Sequence, residues 1–560
     1  YQLFVACGDN DKHTEHTYET TWTYNATEHW HKCTKDGCTE ISGKAPHNFV
    51  NGVCECGAKE DVKATPSEML INFVNSLAKI ENSQGYNILA KGVTGSVSGT
   101  EYSVNTPDYD IPVEATFTID AEIFAGKDAE GNFEAKGNAA ITITLNKNTE
   151  EESFKDVKDV VTVMSAKAAF VIKGEYIYAQ YDVKDTQEGL PEGWSADTIN
   201  KNGDIKKTFD ELIAMIGGLI APDGSLPTVV ATVIDILPQV AEKLAAYVQP
   251  IAEKAYVLSK SFLDEYLKKV MEISYSVTEA EDGYVITTDL EKAKTMINDM
   301  CDLTMGALID KYVGENTVEK MATFAKKFAN MKIKDIIAFA ETSLDLDINE
   351  VEKLANEIIA IVMPAEEDQP ATTLGTLLKY ADKTKEDGTP YTLKDFVLEI
   401  VEEKTVAEMI EQAAELEKGT VSEYIDMAVE FLNKNTYLDA ISTITGTDVT
   451  GMKEQIKETA IGFATIADKA VKFELKIAKD GSFKSFNLNV TVDKDTVDAI
   501  ISILKGLGVG IDNPDNIGLN LNAKLSVSIG EFKNELKFDY DKLVSDLDVK
   551  YPTETEKEAA

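Results

Sequence analysis

The chain has 560 residues, enough for about three to four domains of ordinary size, and its 55 basic residues against 97 acidic ones leave a net charge of −42. Every basic residue is Lys, and the five histidines (His13, His16, His29, His31 and His47) all precede residue 48. This excludes a nucleic-acid partner, which needs a basic footprint and usually Arg forks, and it means that any chemistry in the rest of the chain must work without His or Arg.

The chain opens Tyr1-Gln2-Leu3-Phe4-Val5-Ala6-Cys7-Gly8 and turns polar at Asp9-Asn10-Asp11-Lys12. Residues 1–8 read as the remnant of a secretion signal, entered inside its apolar stretch. Phe4-Val5-Ala6-Cys7 resembles a bacterial lipobox, with Phe where Leu is usual. The resemblance makes Cys7 the site of diacylglyceryl modification and the membrane a partner through that anchor. The extracellular face of a bacterial cell membrane is then the expected location. The alternative is a short buried strand with an ordinary thiol. No other stretch approaches ~18 uninterrupted apolar residues, so no further membrane span is expected.

Residues 9–60 form a His/Cys module. They contain all five His, four of the six Cys, and Trp22 and Trp30. Cys33-x4-Cys38 and Cys54-x-Cys56 are separated by 15 residues. That spacing is ribbon-like, with two thiolate-bearing turns brought together around a tetrahedral ion. Gly37 and Gly57 stand where such turns need an unusual φ. A stretch of this size buries too little surface to fold unaided, so a metal or disulfides must help. Two disulfides, which an exported location permits, and an unstructured stalk are the alternatives.

The run His16-x-Tyr18, Trp22, His29-Trp30-His31-x-Cys33, Cys38, His47-x-Phe49, Cys54-x-Cys56-Gly57 resembles a short His/Trp/Cys repeat of surface proteins in anaerobic Firmicutes. The likeness covers about 45 residues. Carried over by position, it implies Cys33, Cys38, Cys54 and Cys56 as ligands of a structural zinc ion, with His31 or His47 as substitutes.

Beyond a polar linker at 59–64, Thr65-Pro66-Ser67-Glu68 has capping-box form and predicts a helix to about residue 82. The period then becomes two. Val113, Ala115, Phe117, Ile119, Ala121 and Ile123 alternate with polar residues, a half-buried strand, and the loop 126–131 returns it through Ile141, Ile143 and Leu145. A second hairpin, 166–172 with 176–183, turns at Lys173-Gly174. Residues 61–200 thus read as a helix plus an antiparallel meander. Residues 201–470 read as mainly helical. Pro222, Pro227, Pro238 and Pro250 punctuate 204–270, and one hairpin lies near 271–288. Residues 471–545 return to strands at 471–478, 483–492, 519–529 and 531–540, with a helix to about 507. The tail 546–560 reads as frayed.

Five Thr-led segments, at Thr317, Thr373, Thr392, Thr405 and Thr420, repeat a helix-start grammar, with full capping boxes at Thr405/Glu408 and Thr420/Glu423. They indicate stacked helices at irregular spacing. Cys301 reads as a buried apolar thiol. Asp345-Leu346-Asp347-Ile348-Asn349 begins like a calcium loop but has Glu350 where Gly is needed, so it reads as a helix start. No nucleotide-binding glycine motif occurs.

The expected fold is α+β: a small Cys/His-stapled module, then antiparallel strands at both ends of a body bracketing a helical array. Its element order is similar to lipoprotein folds in which a bent sheet wraps helices and sometimes shelters a lipid. The expected function is non-catalytic, a binding or structural role at the cell surface toward a hydrophobic ligand, a protein or a glycan. The alternative is a surface hydrolase using paired carboxylates or a Ser/Lys pair.

Overall fold

The computed structural model describes residues 16–553, apart from 26, 51–52, 59–63, 106–109, 188, 190–198, 221–224, 366–368, 402, 417–418 and 512–516. Cys7, His13 and Pro222 lie outside the described residues. The chain divides into two compact units, Tyr1–Thr65 and Pro66–Ala560.

In the first unit β1 (Thr23–Tyr24), β2 (Glu28–Lys32) and β3 (Ile41–Pro46) form a three-stranded antiparallel sheet in that order. A second hairpin joins β4 (Phe49–Val50) to β5 (Val53–Cys54). The apolar packing is slight: Cys54, Cys56 and Ala58 are buried against Trp22 and Phe49.

The second unit is α+β. It opens with α1 (Pro66–Ala78) and an antiparallel meander: β6 (Gly85–Asn105), β7 (Asp110–Lys127), β8 (Phe133–Lys147), β9 (Val160–Lys173), β10 (Tyr176–Thr186) and β11 (Asn200–Thr208). Helices α2 (Phe209–Ile220) and α3 (Ser225–Ser274) lead to the hairpin of β12 (Tyr275–Ala280) and β13 (Gly283–Thr288). The helical array follows: α4 (Leu290–Asp302), α5 (Met305–Tyr312), α6 (Thr317–Ala329), α7 (Ile333–Ser343), α8 (Ile348–Val362), α9 (Leu374–Leu377), α10 (Leu393–Val401), α11 (Val406–Ala414), α12 (Val421–Lys434), α13 (Tyr437–Thr445) and α14 (Lys453–Ala470). The chain closes with β14 (Val471–Ala478), β15 (Phe483–Val492), α15 (Lys494–Gly506), β16 (Gly518–Gly530) and α16 (Tyr540–Lys550). All eleven large strands join one antiparallel sheet, ordered β11-β10-β9-β8-β7-β6-β16-β15-β14-β13-β12. The strands at the two ends of the body are therefore halves of one sheet, and the array α4–α14 is inserted between β13 and β14.

Period-two alternation sorts the meander into two faces. One carries the rows Ala121–Ala139–Ala168–Tyr181–Gly203 and Ile123–Gly137–Phe170–Ala179–Ile205. Glycine is required twice on it: a Cβ at Gly137 would stand 2.8 Å from the Phe170 ring, and one at Gly203 2.7 Å from Tyr181. On the opposite face Ala169, Val171 and Tyr178 are covered by Tyr540, Leu543 and Leu547 of α16.

Five local expectations are corrected. Residues 531–540 are not a strand. Their backbone is held by side chains instead: Asn87 Nδ2 donates to the Glu531 carbonyl (3.0 Å), and the Lys533 and Leu536 amides donate to Asn87 Oδ1 and Glu122 Oε2 (3.2 Å each). The buried Glu122 also accepts from Asn138 Nδ2 (3.1 Å) and from Tyr540 OH (3.2 Å), and burial pushes the Tyr540 phenol well up. Nor does the tail fray at 546. Helix α16 runs to Lys550, whose ammonium pairs with Asp204 of β11 at 2.6 Å, and Tyr551 OH donates to the same carboxylate at 2.8 Å. Residues 200–208 are a strand, where a helix was expected from 204, and α3 continues through Pro238 and Pro250 where breaks were expected. Finally, α1 ends at Ala78, and its start is fastened from a distance, since the Ser67 amide and hydroxyl donate to Asp264 Oδ1 of α3 at 2.8 and 2.5 Å.

In the array, Thr373, Thr405, Thr420 and Thr436 form reciprocal capping boxes, and Thr392 and Asp395 exchange hydrogen bonds in the same way. Thr317 instead occupies the first helical position, behind Asn316. Asp347 caps α8 by accepting from the Asn349 amide, so that segment is a helix start, and Cys301 is buried. No described helix is long and apolar enough to cross a membrane.

Because α16 docks through few large side chains, one truncation should be felt. Leu543→Ala is expected to destabilise the body by about 2–5 kcal/mol in urea unfolding, whereas Lys542→Ala on its exposed side should change stability by less than about 0.5 kcal/mol. Equal effects would contradict the docked position of α16.

Candidate metal centre

The first unit brings together four side chains from four places in the chain. His29 lies on β2, His47 follows β3, Cys54 ends β5, and Cys56 sits in the turn after it. One ligand atom from each lies within 4.8 Å of all the others, so the cluster could hold a metal ion. Cys54 Sγ is 3.4 Å from His29 Nδ1, Cys56 Sγ is 3.4 Å from His47 Nδ1, and the two Nδ1 atoms are 3.5 Å apart. A tetrahedral zinc ion with ordinary bond lengths has N–N edges of about 3.3 Å and N–S edges of about 3.6 Å. The donor spacings fit that ion.

The backbone explains the placement. Phe49 pairs with Cys54 across the β4–β5 hairpin. The next turn closes through Gly57 N to Cys54 O (2.8 Å) and Cys54 N to Ala58 O (2.8 Å), with Gly57 at φ 85°. That tight loop turns both thiols the same way. Trp22 meets His29 edge-on with centroids 4.3 Å apart, and Phe49 leans on His47 at 5.4 Å. His29 and Cys54 are each only 2 % exposed.

Each imidazole turns its outer nitrogen to an acceptor. His47 Nε2 donates to the Asn25 carbonyl at 2.9 Å, and His29 Nε2 faces the Glu55 carboxylate at 3.5 Å. Such partners orient a ligating His and leave the inner nitrogen's lone pair for the metal. The Asn25 carbonyl raises the pKa of His47. Burial pushes the Cys54 thiol up, but the Cys56 amide and the His47 ring outweigh it and bring it down to about 6. Burial raises Cys56.

The six predicted ligands do not share one point. Cys54, Cys56 and His47 join this cluster. Cys33 and Cys38 lie in a second group with His16. His31 belongs to neither: its ring stacks on Trp22 at 3.8 Å, and Nδ1 contacts the Thr21 carbonyl at 3.1 Å. Sequence reasoning placed His29 and His16 in the module but named neither as a ligand. The His29-Trp30-His31 alternation was the available signal for His29. Residues i and i+2 of a strand share a face, and Trp22 takes His31 by stacking while His29 joins the cluster. Cys33, Cys38, Cys54, Cys56 and Cys301 are free thiols.

No protein-family model, curated protein or solved structure matches the chain.

Proposed function

We propose that residues 16–58 form a structural zinc module and that the whole chain is a non-catalytic, lipid-anchored protein of the bacterial cell surface. The observation that carries the module is the closed His2Cys2 donor set around His29, His47, Cys54 and Cys56. Four protein ligands at tetrahedral spacing leave no open position for a substrate or water, as in structural rather than catalytic zinc sites. With so little apolar burial in the module, metal binding supplies the folding free energy. The full chain purified without chelator should contain zinc. His29→Ala should lose the zinc of this site while His31→Ala keeps it, measured by elemental analysis of both variants. Equal zinc in the two would overturn the assignment.

The anchor rests on Phe4-Val5-Ala6-Cys7 and the polar switch behind it. Several acyl chains at Cys7 would hold the protein firmly, at about 0.8 kcal/mol per buried methylene. Cells expressing the precursor and fed an alkynyl fatty acid should label this protein, and Cys7→Ser should abolish the label. Persistent labelling of the variant would remove Cys7 from the reading.

For the body, the reading is a hydrophobic ligand. Its support is a groove of about 520 Å³ on the sheet face away from α16, lined by Ala121, Ile123, Ala139, Phe170, Tyr181 and Ile205 among others. Apolar lining with few polar groups is the usual character of a small-molecule site. The full chain should raise the emission of a fluorescent fatty-acid analogue, and Ala139→Trp, which fills the groove, should abolish the rise. Equal emission with both proteins would overturn this reading.

A further inference from the structure

Cys33 and Cys38 are left over once the first centre is assigned, and the structure gives them a partner of their own. We propose that the module holds a second metal ion on His16 Nδ1, Cys33 Sγ and Cys38 Sγ, separate from the first and faster to exchange.

The three donor atoms lie within 4.8 Å of one another. His16 Nδ1 is 3.4 Å from Cys38 Sγ and 3.8 Å from Cys33 Sγ. Both distances bracket the N–S edge of about 3.6 Å for tetrahedral zinc.

Independent backbone contacts produce the convergence. Tyr18 bridges Cys33 in antiparallel sense, and the Thr34 amide donates to the Thr17 carbonyl at 2.9 Å. The chain before β1 is thereby laid beside the chain after β2, which brings His16 to Cys33. The loop from Cys33 then folds back. Cys38 N donates to Lys35 O and Cys33 N to Glu40 O, each at 3.1 Å, with Gly37 at φ 76°. This is the same kind of thiol-bearing turn as the one around Gly57.

Apolar burial does not account for the gathering. Of the three donors only Cys33 is buried; His16 is exposed and Cys38 half-buried. A His and two Cys drawn from positions 17 and 22 residues apart fit a thiophilic, borderline-soft cation such as zinc. The exposure sets the order of exchange. A chelator or water reaches His16 directly, whereas at the first centre His29 and Cys54 are sealed beneath Trp22 and Phe49. The ring of His47 there is also held by a backbone carbonyl, and such outer partners are worth about 10–100-fold in affinity.

The test is cobalt(II) titration of the reduced full chain, followed by thiolate-to-cobalt charge-transfer absorbance, and release of zinc to a colorimetric chelator. Wild type should take up two ions and release them in two phases, the faster by about tenfold or more. Cys33→Ser/Cys38→Ser and His16→Ala should each lose only the fast phase, and His29→Ala/His47→Ala only the slow one. A single ion in wild type that His16→Ala and Cys33→Ser/Cys38→Ser both retain overturns the proposal. So does complete metal loss in Cys33→Ser/Cys38→Ser, which would mean one ion shared by four cysteines. A Cys33–Cys38 disulfide mapped in protein purified anaerobically without reductant also overturns it. Failure of the first centre would show differently, as an unchanged slow phase in His29→Ala/His47→Ala.

Discussion

Strands β6 and β16 pair from Gly85–Gly530 to Ser98–Gly518, with one irregularity between Asn522 and Leu525. Asn520 Nδ2 also donates to Ser96 Oγ at 3.2 Å across 424 residues of chain. This seam is what makes one sheet of two. Without it, β6–β11 and β12–β16 would be separate half-sheets, each with an unpaired edge available to other chains. Closing so long a loop costs little more than closing a shorter one, because the entropy grows only logarithmically. Its burden is kinetic, since non-local pairing slows folding. The side chains that pin residues 531–540 extend the same seam, because Asn87 and Glu122 belong to β6 and β7.

The first unit depends on a different constraint. Its two small sheets bury too little apolar surface to be stable alone. Between the hairpins converge the four side chains of the candidate centre, His29, His47, Cys54 and Cys56. The two glycine turns do matching work: each closes a short loop so that its cysteines face the histidine of another segment.

Much of the body was legible because alternation survives wherever one face is buried. The strands 113–123, 471–478, 483–492 and 519–529 were all readable for that reason, as were the capping boxes at Thr405 and Thr420. β6 escaped notice because its run Gly92 to Gly99 is built of small and polar residues, and β11 because Lys and Asn dominate it. Residues 531–540 carry strand-like residues, yet buried side-chain acceptors on the sheet satisfied their amides first. At the candidate metal centre, spacing pointed to the cysteines but not to their grouping. Spacing reports which thiols share a turn, while the histidine a turn faces is decided by strand register. The Tyr18–Cys33 bridge sends one pair to His16, and the β4–β5 hairpin sends the other to His29 and His47.

Strands β13 and β14 are neighbours, paired from Gly283–Ala478 to Thr287–Glu474, although the whole helical array lies between them in sequence. The first and last helices of that array, α4 and α14, pack together, and Asp302 of α4 binds Lys453 and Lys457 of α14 at 2.6 and 2.7 Å. Entry and exit are thereby clamped at one point. The array is an insertion in sequence between two sheet neighbours, and α3 braces it from outside, where Lys243 pairs with Glu357 of α8 at 2.6 Å. The strand order of the sheet is thus independent of how many helices are threaded between two of its neighbours.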